Sequence, residues 1–427
     1  MTDDSDSPAA HERLAGIHFD ALDAVGARRH GERALAGFDG AARLLILFRY
    51  LADYLGVLEY GVPWLEAHPD DIDALIHLGR AFYMLGRYDE ALGMFARAAR
   101  HAPLRLDATF SLGETLMLLG DVEAGWRRFD DLANEGLLQT ISAEVRPSMT
   151  RFWRGETLTG KRIFVVHFLG IGDNIMMARY ARLLKQAGAH VAFCCRPEVF
   201  RLFEKLEGVD ELSDDWRLPG WADFDYWTFD YLLPRHMAGT PRVIPAFEAG
   251  YIAAPSRAAP LIAPAIPGRL RVGLCWSSGP GHFTGLARFL TPEDLRPLAD
   301  LAGIDWFVVQ KGLGNAGFAE RSGLAALDFS KEWADFRDAA AFMAELDLII
   351  SICSGPLHLA GALGLPAWGL ICAAPDWRWG TTGSRSAWYP NIRLFRQAKL
   401  YDWGPVVEEI KAALEGYEGP AVVSGSK

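Results

Sequence analysis

Residues Asp71–Pro103 carry Leu78-Gly79, Phe82, Gly86, Tyr88, Ala91, Phe95, Ala98 and Pro103, and the same pattern returns 34 residues later as Leu112-Gly113, Leu116, Gly120, Val122, Gly125 and Phe129. A period of this length predicts stacked pairs of antiparallel helices. Small residues let the two helices approach, aromatic ones fill the groove between them, and each pair needs a neighbour to bury its remaining apolar face. Leu78, Phe82, Phe95, Leu112, Leu116 and Phe129 are the expected core, with the concave surface left for a partner. One period earlier Pro69 falls on Pro103, but Pro63 and Trp64 fit poorly, so that copy is expected to be degenerate or a cap.

Beyond a polar stretch around 137–150, the helical period gives way to near-continuous apolar runs. KRIFVVHF (161–168), a glycine turn, the amphipathic Asn174–Ala187 and AHVAFCC (189–195) read as strand, helix and parallel strand. The aromatic segment Phe224–Leu233 continues that sheet, and the Pro/Ala-rich 253–268 reads as a linker. A second series follows at 271–276, 304–309, 346–351, 366–371 and 392–395. Thr291-Pro292-Glu293-Asp294 is a helix start, and a last helix is expected from about Pro405 to Leu414.

Composition narrows the function. The 427 residues hold 43 Lys+Arg against 54 Asp+Glu, a net charge of −11, without the basic run that a nucleic-acid arm needs. Five cysteines (Cys194, Cys195, Cys275, Cys353, Cys372) lie mostly in apolar runs and form no CxxC or Cys/His metal spacing. The acidic MTDDSDSPAAHERL lacks the basic patch and apolar core of a signal peptide, and no apolar stretch has the roughly 18 residues of a membrane span, so a cytoplasmic protein is expected. Neither α/β half shows a G-x-G-x-x-G turn followed by an acid about 20 positions on, which argues against a nicotinamide dehydrogenase.

Two parallel sheets joined by a linker make a cleft, and ligands of such sheets sit beyond the carboxyl ends of the strands. In FLGIGDNI (168–175), Gly170 and Gly172 permit a tight turn, and Asp173 either caps the helix or faces the cleft as a general base. In SICSGPLHLAGALG (351–364), Ser354-Gly355-Pro356 opens a helix whose free N–H groups suit an anion, with His358 within the first turn. Lys311, in FVVQKGLGN (307–315), is placed to neutralise a diphosphate. CWSSGPGHFTGLARFL (275–290) adds His282 and Arg288, in a loop that is equally readable as a connection.

These motifs resemble those of bacterial tetratricopeptide-repeat glycosyltransferases with heptosyltransferase-like or protein O-GlcNAc-transferase-like catalytic regions. The ordered matches are GDVEAGWRRF (120–129), FWRGETLTGKRI (152–163), GDNIMMARY (172–180), VGLCWSSGPGH (272–282), VVQKG (308–312), SGPLHLAGALG (354–364), PDWRWG (375–380), WYPNIRLFRQ (388–397) and YDW (401–403). The resemblance implies an α-helical repeat array followed by a GT-B fold, two Rossmann-like domains with a cleft between them. The expected divisions are a tail and lead-in helix over 1–35, repeats over 36–140, an acceptor domain over 151–265, a nucleotide-sugar domain over 266–400, and a terminal helix and tail over 401–427. It further implies metal-independent, inverting transfer from a nucleotide-diphosphate sugar, without a cofactor, to a protein or peptide acceptor recruited by the repeats. Asp173 matches the catalytic base, and Ser354, Gly355 and His358 match the phosphate end of the donor motif. Lys311, Gln310 and Trp276 complete the expected donor contacts. Gly172, Asn174, His282, Arg288, Asp376 and Arg378 are the expected acceptor or sugar contacts. One departure stands out: the family pattern has Asp directly before Ser-Gly-Pro, where this chain has Cys353. That substitution supports an alternative, a catalytically weak or inactive protein used as a repeat-based scaffold.

Overall fold

The structure, a computed structural model, describes residues 7–21, 23–103, 105–135, 151–215, 223–237, 244–245, 247–255, 260–263, 266–279, 284–417 and 419. The two hydrophobic periods produce two kinds of architecture. The helical period gives α1 (Pro8–Asp20), α2 (Ala24–Ala34), α3 (Gly40–Arg49), α4 (Tyr54–Ala67), α5 (Ile72–Met84), α6 (Tyr88–His101), α7 (Leu106–Leu118) and α8 (Val122–Glu135). Helices α5/α6 and α7/α8 are the two repeats. Asp71 caps α5 by accepting from the Ala74 N–H at 3.0 Å. A Cβ at Gly79 would lie 2.6 Å from the Phe95 ring, and one at Gly113 would lie 2.9 Å from that of Phe129. The glycines are therefore what allows each aromatic ring to seat between paired helices. The degenerate earlier copy is helical all the same. Pro63 lies inside α4, and the ring of Trp64 stacks on His68 while its N–H donates to Asp71 at 2.8 Å. Of the expected core, five side chains are buried and Leu116 is half-buried.

The apolar runs form two fully parallel sheets. Strands β1 (Arg162–Val166), β2 (His190–Cys194), β3 (Glu211–Ser213) and β4 (Tyr226–Phe229) lie in the order β3-β2-β1-β4. Strands β5 (Leu270–Cys275), β6 (Ile304–Val308), β7 (Leu348–Ile352), β8 (Ala367–Ile371) and β9 (Ile392–Arg396) lie in the order β6-β5-β7-β8-β9. All five residues of β7 and of β8 are buried, as strands covered on both faces must be. This is the helical array and paired Rossmann-like arrangement expected of a GT-B chain. The short β3 carries too few apolar residues to be visible in the sequence.

Two local expectations change. The stretch expected as one helix over Asn174–Ala187 is two, α9 (Ile171–Met177) and α10 (Tyr180–Gln186). The break places the buried Arg179 guanidinium on the carbonyls of Met176 at 2.9 Å and Trp388 at 2.8 Å, tying the first half to the second. The segment starting at Thr291 is a 3-10 helix (Pro292–Asp300), with Pro297 inside it and Thr291 and Asp294 capping each other. The terminal helix, α13 (Gly404–Glu415), is where it is expected, and α11 (Phe336–Met343) and α12 (Gly355–Leu363) flank β7.

The array does not stand apart. Tyr83 donates to the Pro375 carbonyl at 2.6 Å, Phe110 stacks on Tyr231 at 5.6 Å, and Trp126 meets Trp377 edge-on at 5.6 Å. Asp130 accepts from Arg235 at 2.7 Å and bonds His236 at 2.9 Å. The face of α5 and α7 expected to remain an open groove is thus covered along these contacts by the α/β halves. The cause is chemical: each buried aromatic ring removes some 150–250 Å² from water, at about 25 cal/mol per Å². The polar stretch expected at 137–150 lies outside the described residues.

Candidate functional site

In each sheet the strand order reverses at one point, between β1 and β4 in the first and between β5 and β7 in the second. Crevices open at such points, because the crossovers on either side leave in opposite directions. The segments after β1, β5, β6, β7 and β8 meet there around a cleft of about 880 Å³. Its lining includes Gly172, Asp173, Gln310, Lys311, Ser354, Gly355, His358, Arg288, Asp376 and Arg378. Ten of the expected site residues are therefore brought together from five separate stretches of sequence.

The helix after β1 and the helix after β7 pack directly on each other. A Cβ at Gly172 would lie 2.7 Å from the His358 ring, so only glycine permits this approach of α9 to α12. Asp173 both caps its helix and lines the cleft. One oxygen accepts the Gly170 N–H at 3.2 Å, closing the first turn of α9, and the other is paired with the Arg378 guanidinium. Arg378 also bonds Asp376, which in turn caps its own 3-10 turn by accepting the Arg378 N–H at 3.1 Å. Burial pushes the Asp376 carboxyl up to about 6 and lowers the Arg378 guanidinium to about 10. The arginine nonetheless stays protonated at neutral pH, because about 10 is still well above it.

On the second half, Lys311 is exposed and its ammonium donates to the Trp333 carbonyl beside the cleft. Ser354 does not cap α12. Its hydroxyl turns inward to Ser351 Oγ at 3.0 Å and Cys275 Sγ at 3.4 Å. What α12 offers an anion is therefore its backbone N-terminus, opened by Gly355 and Pro356. Arg288 reaches across the loop after β5, donating to Ser278 Oγ at 3.3 Å and the Gly279 carbonyl at 3.1 Å. Cys353 accepts the Trp379 indole N–H at 3.0 Å, and burial pushes its thiol up to about 12, so it is neutral.

Several expected contacts have structural work instead. Trp276 is 2% exposed, stacks on Phe318 at 3.9 Å and does not line the cleft. A bulky apolar ring directly after a buried strand packs inward. Gln310 lines the cleft, but its amide is used by the protein: Oε1 accepts from the N–H groups of Trp276 at 2.8 Å and Ser277 at 2.9 Å, and Nε2 donates to Ser277 and Asn315. It shapes the loop after β5. Asn174 is fully buried, donating to Asp230 at 2.9 Å and accepting the Arg196 N–H at 3.0 Å, which ties the ends of β1, β2 and β4 together. His358 is wedged between α9 and Tyr389, whose hydroxyl bonds its Nδ1 at 2.8 Å, and burial lowers it to about 3, so it lines the cleft as a neutral ring. His282 lies outside the described residues.

Sequence reasoning missed one wall. Phe110 and Glu114, one turn apart on α7 of the second repeat, also line the cleft. Burial pushes the Glu114 carboxyl up to about 8, with the Asp376 charge adding to the effect. Nothing in the 34-residue pattern marks position 114, because Asp376 and Arg378, which share its cleft, lie some 260 residues away.

Fold and site together define a tetratricopeptide array built onto two facing parallel α/β halves, with an acid-lined cleft between them. Residues 65–102 and 76–125 match the tetratricopeptide repeat family. Over 399 residues the chain is 25% identical to Protein FlbA of Caulobacter vibrioides, covering 86% of this chain and 65% of that one. The chain thus spans about 65% of the length of that curated relative. Among solved structures it is similar to a glycosyl transferase family 9 protein of Veillonella parvula (12% identity, 62% of this chain and 92% of that one, TM-score 0.42). Two others are E. coli ADP-heptose lps heptosyltransferase II (17%, 60% and 98%, TM-score 0.39) and an O-GlcNAc transferase of Thermobaculum terrenum (15%, 88% and 84%, TM-score 0.25). Among the described residues, no helix is long and apolar enough to cross a membrane, and no group of three or more His, Cys, Asp or Glu is placed to hold a metal ion.

Proposed function

We propose that this chain is a cytoplasmic glycosyltransferase that moves a sugar from a nucleotide-diphosphate sugar to an acceptor hydroxyl by inverting, metal-independent transfer. The observation that carries the reading is the convergence of two unlike sets of groups on one cleft. The second half supplies a helix N-terminus and Lys311 for a diphosphate, and the first supplies a carboxylate, Asp173. In such a transfer the acceptor oxygen attacks the anomeric carbon as the bond to the diphosphate breaks. The electron pair leaves with the diphosphate, whose charge Lys311 and the α12 N-terminus offset, and Asp173 takes the acceptor proton. A carboxylate clamped by Arg378 is a weak base, so the substrate must loosen that pair for Asp173 to act. The clamp is also the observation that favours the second reading, an inactive scaffold.

The acceptor proposed is a protein or peptide brought by the repeats. Since the inner face of α5 and α7 is covered, the recruiting surface is assigned to the rest of the array and the cleft rim. Turnover of nucleotide sugars, with and without cell extract as acceptor, tests this reading. Asp173→Asn should abolish transfer while nucleotide affinity stays within a few-fold, and activity should survive EDTA. Full activity in that variant would reduce Asp173 to a helix cap.

A further inference from the structure

Helix α7 turns Glu114 into the cleft one turn beyond Phe110, while the neighbouring Thr115 hydroxyl is spent on the Ser111 carbonyl at 2.7 Å. Glu114 is 9% exposed, and among the described residues no hydrogen bond or ion pair reaches its carboxyl. Its oxygens open onto the cleft without a protein partner, which leaves them available to a ligand there. The nearby polar groups are already committed: Arg378 to Asp173 and Asp376, and Asp376 to Arg378 and its own turn. Glu114 therefore holds free hydrogen-bonding capacity beside an Arg378 whose two terminal nitrogens are already spent on Asp173 and Asp376.

Its place along the cleft limits what it can meet. Cys353, which immediately precedes the Ser354-Gly355 turn that opens α12, and Asp376 both line the cleft with it. Glu114 shares the cleft lining with the N-terminus of α12 on the donor side and with Asp173 and Arg378 on the other. On the glycosyltransferase reading, a sugar joined to a diphosphate at α12 and presented to Asp173 would lie within this lining.

We propose that Glu114 is a donor-binding residue whose carboxyl engages a hydroxyl of the sugar on the nucleotide donor, so that the second repeat forms one wall of the sugar subsite. The proposal rests on the glycosyltransferase reading. A carboxyl that burial keeps largely protonated at neutral pH both donates and accepts, which suits a hydroxyl partner better than a cation.

Calorimetry of the full chain at pH 7 tests it, using UDP, GDP and ADP beside UDP-N-acetylglucosamine, GDP-mannose and ADP-glucose. Glu114→Met is expected to weaken nucleotide-sugar binding about tenfold, the value of a single lost hydrogen bond to a sugar. It should leave the matching diphosphate within two-fold, with Glu114→Gln keeping most of the wild-type affinity. If melting shows that the Met variant is unfolded, Glu114→Asp, which withdraws the carboxyl by one methylene, should give the same split. Equal nucleotide-sugar binding by variant and wild type overturns the assignment, as does a parallel loss for sugar and diphosphate, or a wild type that gains nothing from any sugar. A wild type that binds neither diphosphates nor nucleotide sugars overturns the glycosyltransferase reading, and this inference with it.

Discussion

Replacing Arg378 by Met is predicted to cost about 3–5 kcal/mol of stability at pH 8 and markedly less at pH 5. The arginine side chain is 6% exposed and holds Asp173 and Asp376 together, with Glu114 as a further buried acid in its field. Without it, carboxylates stand uncompensated in a closed space, which is the expensive way to break a buried ion cluster. The pH dependence follows from the raised acids. Asp376 is pushed up to about 6 and Glu114 to about 8, both above their unfolded values near 4. The native state therefore binds more protons than the unfolded state between about pH 4 and pH 8, and stability falls as pH rises through that window. Removing the arginine raises these acids further and steepens the fall. Denaturant midpoints and melting temperatures of wild type and Arg378→Met at both pH values measure it. The double variant Arg378→Met/Asp376→Asn removes one charge and should recover about 1–3 kcal/mol of the loss at pH 8. Equal stability of Arg378→Met and wild type at pH 8, or a larger loss at pH 5, would refute the reasoning.

Gly79→Val should destabilise the first repeat by about 1–3 kcal/mol, since even its Cβ meets the Phe95 ring at 2.6 Å; an unchanged melting temperature would mean that the helices are not this close. Asn174→Leu strips the fully buried Asp230 of a donor, costs about 1–3 kcal/mol and raises that carboxyl beyond the value of about 7 to which burial already pushes it. Stability of this variant should therefore decline more steeply than wild type as pH rises toward neutrality, and parallel pH profiles would count against the role.

Much of the fold is readable without coordinates because its signals are local. The glycine–aromatic pairs of the repeats and the apolar runs that become β1, β5, β7 and β8 each lie within a few residues of chain. The cleft is readable for a related reason: ligands gather after parallel strands, so FLGIGD, VVQKG and SGPLH could be found by looking there. What escaped depends on distant contacts. Trp276 and Asn174 follow strands just as Asp173 does, and only packing against Phe318 and Asp230 decides that they turn inward. Gln310 stands beside Lys311 yet is consumed by a loop 33 residues earlier in the chain. Glu114 and the covering of the repeat face were invisible because the period of an array says which residues pair helices, not what a second domain will press against them.

The central claim is that the cleft holds a nucleoside diphosphate on its second half and acts on it from the first, and titration calorimetry with ADP, GDP and UDP tests it most directly. The account predicts that one of the three binds wild type, that Lys311→Ala weakens it by an order of magnitude or more, and that Asp173→Asn leaves it within a few-fold. No binding by any of the three, or a Lys311→Ala protein that binds as well as wild type, would contradict it.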